Sequence, residues 1–186
     1  IGKTGEMKAE VTIDAAGKVV APGFIDIHSH TDLTIFHHPL AESKVLQGVT
    51  LEVIGNCGIG PFPVNPGRKG MLLAYLRTLE FLAPPEGLDW TDFTQYADRL
   101  NGLGLSINLA PLVAHGALRI AAMGSENRPP EPEELSRMEE ILEVLLDQGA
   151  WGMSTGLIYP PGSFARTEEL IALARVLARH RALYAS

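Results

Sequence analysis

The junction Leu46-Gln47-Gly48-Val49-Thr50 is echoed later in the chain by Asp147-Gln148-Gly149-Ala150-Trp151. Each reads as the end of a helix, a glycine stop and the start of a buried strand. A chain that repeats this unit is building parallel strands covered by helices, because a parallel strand needs a crossover before the next can pair. From residue 21 onward short apolar runs alternate with helical patterns. The runs predict strands at 24–28, 49–54, 105–113 and 150–154, with a fifth beginning at 182–186. Helices are predicted over 40–47, 71–82 and 91–100, the last capped by Asp89 or Thr91. Another opens at Pro130 and Pro132 and turns Leu135, Met138, Leu142 and Leu145 inward, and a final one is capped by Thr167. The pattern favours a (β/α) barrel or a doubly wound sheet over an α+β arrangement. A complete eight-stranded barrel takes about 250 residues, yet four and a half predicted strands use up these 186, so a barrel is not expected to close on this chain alone. Before this region, residues 11–20 read as two extended runs joined at Gly17, a hairpin signal.

Charge removes one class of partner. Lys and Arg total 15 against 22 Asp and Glu, a formal charge of -7, so there is no basic surface to neutralise nucleic-acid phosphates. The most apolar stretch, residues 103–118, is broken by Ser106, Asn108, Pro111 and His115 and does not read as a membrane span. The sequence opens without Met and without a signal-peptide pattern, which reads as a trimmed chain. One cysteine, Cys57, allows no internal disulfide and fits a cytoplasmic location.

The chemistry concentrates where strands are expected to end. Pro22-Gly23-Phe24-Ile25-Asp26-Ile27-His28-Ser29-His30-Thr31-Asp32 ends a strand in His-x-His, and extended residues two apart point the same way. His28 and His30 can therefore aim both imidazoles at one metal ion, at the end of a parallel sheet where active sites form. Asp26 and Asp32 read either as carboxylates orienting those rings or as ordinary loop carboxylates. Cys57 follows the second strand in Gly55-Asn56-Cys57-Gly58-Ile59-Gly60, among glycines that permit close backbone approach. Its thiolate, with two imidazoles, makes a donor set suited to zinc.

The segments 21–32 and Gly48-Val49-Thr50-Leu51-Glu52-Val53-Ile54-Gly55-Asn56-Cys57-Gly58 resemble the amidohydrolase superfamily, and within it the N-acyl-D-amino-acid deacylases, or D-aminoacylases. Ala114-His115-Gly116-Ala117-Leu118-Arg119 and Gly152-Met153-Ser154-Thr155-Gly156-Leu157-Ile158-Tyr159-Pro160-Pro161-Gly162 are similar to further family segments. The resemblance implies a fold in which residues 1–20 belong to a small β-domain and 21–186 form the N-terminal half of a (β/α)8 metallo-dependent hydrolase barrel. It implies zinc as cofactor, held by His28, His30 and Cys57, and hydrolysis of the amide of an N-acyl-D-amino acid to a D-amino acid and a carboxylate. It places two more histidine ligands and a general acid/base aspartate later in the family's barrel, beyond these residues, so this chain alone is expected to be inactive.

His115, Ser154 and Tyr159 stand at predicted strand ends or the loop beyond, and are candidate substrate-binding residues. Arg119 reads as a partner for a substrate carboxylate or for a neighbouring acid, and His180 as a helix C-terminal cation. His37 and His38 read as surface loop. Two rival functions stand beside the first. One is a catalytically silent chain that self-associates or joins a partner through unpaired barrel edges. The other is a dihydroorotase or hydantoinase branch, against which Cys57 argues.

Overall fold

The computed structural model describes residues 8–77 and 87–186. Five strands form one parallel sheet in the order β1 (Phe24–Asp26), β2 (Val49–Ile54), β3 (Asn108–Ala114), β4 (Gly152–Ser154) and β5 (Leu183–Ala185). Strictly sequential order decides between the two predicted architectures. A doubly wound sheet reverses its strand order at a switch point, whereas a barrel adds each strand beside the last.

Seven α-helices lie among the described residues: α1 (Thr31–Thr34), α2 (Glu42–Val45), α3 (Lys69–Arg77), α4 (Phe93–Asn101), α5 (His115–Ala122), α6 (Pro132–Asp147) and α7 (Thr167–His180). None is long and apolar enough to cross a membrane. The predicted glycine stops form as expected. Gly48 and Gly149 adopt positive φ (82° and 109°), and the Ala150 N–H reaches back to Leu145 O at 3.0 Å, satisfying an orphan helix carbonyl. Where α7 ends, Arg181 takes the left-handed position (φ 53°) and Ala182 N–H closes on Leu177 O. α6 starts behind Pro132, with Glu131 N–H donating to the Glu134 carboxylate at 2.8 Å.

Several expectations shift. The cap of α4 is Asp92, whose carboxylate accepts from Gln95 N–H at 3.0 Å, rather than Asp89 or Thr91. Helix α3 runs to Arg77, and the remainder of the predicted 71–82 helix lies outside the described residues. Sequence reading missed α5, which follows β3 with no loop and buries all eight residues. That burial explains why the apolar stretch continues past the strand. The hairpin at 11–20 keeps its turn, with Lys18 N–H donating to Ala15 O at 2.9 Å, but pairs no strands. Val11, Ile13, Val19 and Val20 have no described surface to bury against, and an isolated hairpin is marginal in water. β1 is likewise no buried strand: Phe24, Ile25 and Ile27 are exposed along the sheet edge.

The core lies between sheet and helices, where Leu33, Val113, Leu118, Leu142 and Leu173 are wholly enclosed. A cluster of Phe36, Phe62, Trp90, Phe93 and Tyr96 closes it under α4, with Phe62 and Tyr96 stacked at 5.0 Å and Trp90 Nε1–H donating to Pro61 O. This packing fixes the floor beneath the carboxyl ends of β1 and β2.

Candidate metal centre

β1 stops at Asp26, so strand alternation does not aim the His28 and His30 imidazoles. A turn does. The Asp26 carboxylate accepts His28 N–H at 3.1 Å, Ser29 N–H still pairs with Val53 O, and His30 stands at the entry to α1. The rings meet edge to face with centroids 5.7 Å apart.

Cys57 reaches them from the loop after β2. Gly55, Cys57 and Gly58 all take positive φ (76°, 57° and 65°), folding the loop back over the strand end. For a cysteine that backbone costs roughly 1–2 kcal/mol, so the surroundings must enforce it. Buried Asn56 donates to Val53 O at 2.8 Å and to Ser29 O at 3.3 Å, tying the cysteine loop to the histidine turn. A side chain on Gly55 would put its Cβ 2.3 Å from Leu112 O.

The result brings the three predicted ligands together. Cys57 Sγ lies 3.3 Å from His28 Nε2, and one ligand atom from each of His28, His30 and Cys57 falls within 4.8 Å of the others. Nδ1 of His30 is buried without a hydrogen-bond partner, the state of a nitrogen reserved for a ligand. Burial, and then the neighbouring His28, hold His30 below its ordinary imidazole pKa, which favours the neutral form that binds metal. Burial pushes the Cys57 thiol up, and a coordinated cation reverses that direction. Two imidazoles and a thiolate suit a borderline-soft divalent ion and leave a fourth position open.

The flanking aspartates do not orient the rings. Asp26 is the loop carboxylate just described and also pairs with Lys44 at 2.5 Å. Asp32 is fully buried, pushed up to about 7 chiefly by desolvation, and its carbonyl accepts from Tyr96 Oη–H at 3.1 Å. Lys44 also meets the buried Glu52 at 3.0 Å, and Glu52 accepts from Thr31 Oγ1–H. His37 and His38 stay in an exposed loop, and His180 pairs with Glu143 and Asp147 at the helix ends.

The remaining candidates lie beneath and beside the cysteine loop. Ser154 is fully buried; its hydroxyl donates to Gly55 O and accepts from Gly58 N–H at 2.9 Å. His115 is fully buried and its Nε2–H donates to Glu169 Oε1 at 2.7 Å, while Arg119 Nη1 donates to Glu169 Oε2. Arg119 thus has the neighbouring acid, not a substrate group, as its partner. Tyr159 is exposed in the loop after β4. Sequence reading passed over Glu169, because an acid in the first turn of a helix reads as a dipole partner. Its spacing from Leu173 and Val176 on the buried stripe of α7 carried the signal.

Residues 11–183 match the model of the amidohydrolase family. The chain is similar to an N-acyl-D-glutamate deacylase of Alcaligenes xylosoxydans xylosoxydans, with 41% identity over all of this chain and 37% of that protein. A D-aminoacylase from the same organism is 36% identical over the same shares. Among solved structures, the N-acyl-D-glutamate deacylase of Bordetella bronchiseptica, complexed with zinc and a phosphonate inhibitor, superposes with a TM-score of 0.79 at 40% identity. That match covers 92% of this chain and 35% of the solved one, so the chain spans little more than a third of its relatives' length. The five parallel strands are half of that barrel, and the chain belongs to the amidohydrolase family.

Proposed function

We propose that this chain supplies the first metal-binding half of a zinc-dependent amidase that cleaves N-acyl-D-amino acids to a D-amino acid and a carboxylate. The observation that carries the reading is the convergence of His28, His30 and Cys57 within 4.8 Å at the carboxyl ends of β1 and β2. Zinc bound there supplies a Lewis acid for the acyl carbonyl and an activated water. The protein's own part is to hold three donors in place and to keep His30 neutral. Tyr159 stands exposed beyond β4 as the residue offered to substrate, whereas His115 and Ser154 act from beneath. Exposed Phe24 and Ile25 on β1, with Leu183 and Tyr184 on β5, fit completion of the sheet by further strands on both sides.

The test is zinc content per chain together with turnover of N-acetyl-D-methionine by the purified protein. Bound zinc that is lost in Cys57→Ala supports the site, and zinc content indifferent to that substitution removes it. The isolated 186-residue chain is expected to show negligible turnover, because proton transfer needs a positioned acid/base that the resemblance places later in the barrel. Zinc-dependent hydrolysis by this chain alone overturns that expectation.

A further inference from the structure

Three elements remote in sequence converge on the backbone of the loop that carries Cys57. From β4, the Ser154 hydroxyl donates to Gly55 O and accepts from Gly58 N–H, so one oxygen closes the loop across both of its ends. From α3, Tyr75 Oη–H donates to Gly58 O at 3.1 Å, and from α5, Gly116 N–H donates to the same carbonyl at 2.9 Å. Behind the loop, Gly156 leaves no room for a side chain: a Cβ there would stand 1.9 Å from Cys57 O. Ser154 is 96 positions from Gly58 and wholly buried, so no solvent competes for its bonds. A hydroxyl is the small group able to donate and accept at once, and here both capacities are used on the loop.

We propose that Ser154 is a positioning residue for the Cys57 ligand, holding the cysteine in its left-handed backbone so that its sulfur faces His28 and His30. The assignment rests on Cys57 being a metal ligand. It gives Ser154 a duty distinct from substrate contact and explains why a serine, not a second small apolar residue, sits at the end of β4.

Cobalt(II) in place of zinc tests this, because thiolate-to-cobalt charge-transfer absorption reports Cys57 directly. The unsubstituted protein should show that band and Cys57→Ser should lack it. Absence of the band from the unsubstituted protein overturns the metal reading and this inference with it. With the band present, Ser154→Ala should bind cobalt about 10- to 100-fold more weakly, the usual cost of losing a group that orients a ligand. Ser154→Thr, which keeps the hydroxyl, should restore affinity, and Ser154→Cys, which keeps the volume, should not. A purely packing role predicts the opposite order, since threonine adds a buried methyl. If Ser154→Ala does not melt cooperatively, the Thr and Cys pair decides: undiminished affinity in Ser154→Cys overturns the clamp while leaving the metal site standing.

Discussion

Replacing Glu169 with glutamine should destabilise the fold far more than its conservative chemistry suggests. Among the described residues its carboxylate is the one anion against Arg119, and both side chains are essentially shut off from solvent. Glutamine keeps the shape and one acceptor but leaves a buried guanidinium whose other described bond is to Arg128 O, with Nε unpartnered. Breaking a buried pair from one side costs about 3–5 kcal/mol. At roughly 2–4 °C per kcal/mol for a chain of this size, the melting temperature should fall by about 6–20 °C. The pH dependence has a definite sign. Burial alone raises the Glu169 carboxyl, but the hydrogen bonds from His115 and Arg119 outweigh it and leave it below its ordinary value. A depressed carboxyl stabilises the fold above the unfolded pKa and loses that contribution as pH falls through the folded value. The gap between Glu169→Gln and the unsubstituted protein should therefore close in acid. Thermal and urea melts at several pH values, with Arg119→Met and the double variant, complete the cycle. A Glu169→Gln protein within about 0.5 kcal/mol of the parent, or strictly additive variants, would refute the reasoning.

Gly156→Ala should cost metal affinity more than stability, because its methyl collides with the Cys57 carbonyl; equal cobalt affinity in the variant contradicts the packing described. Lys44→Met leaves the Glu52 carboxylate buried with Thr31 as its described donor and should cost about 2 kcal/mol near neutral pH, less than a fully enclosed pair because Lys44 is partly exposed. A Lys44→Met protein that melts within about 0.5 kcal/mol of the parent excludes the account. Leu142→Ala in the enclosed face of α6 should cost about 2–5 kcal/mol in urea melts, and a loss below 1 kcal/mol means that helix does not pack on the sheet as shown.

How far the sequence spoke depended on whether a signal was local. Glycine stops at Gly48 and Gly149 are local chemistry, and they stand where they were read. His28, His30 and Cys57 could be singled out as candidate ligands because each residue type carries its own chemistry and each follows a recognisable strand. The geometry that aims it was not. His28 and His30 were expected to align by strand alternation, but the Asp26 turn does that work, and a turn made by one side chain leaves no period to count. Helix α5 was missed because a helix buried on every side has no amphipathic stripe. Ser154, His115 and Glu169 hold partners tens of residues away, and no window along the chain brings those partners together.

The sequential strand order also sets a timetable. His28, His30 and Cys57 follow the neighbouring strands β1 and β2, so they are made before β3, β4 and β5. The proposed clamp comes later in the chain, since Ser154 arrives with β4, which pairs with β3. A growing chain thus makes the three side chains before the residue that bridges the cysteine loop.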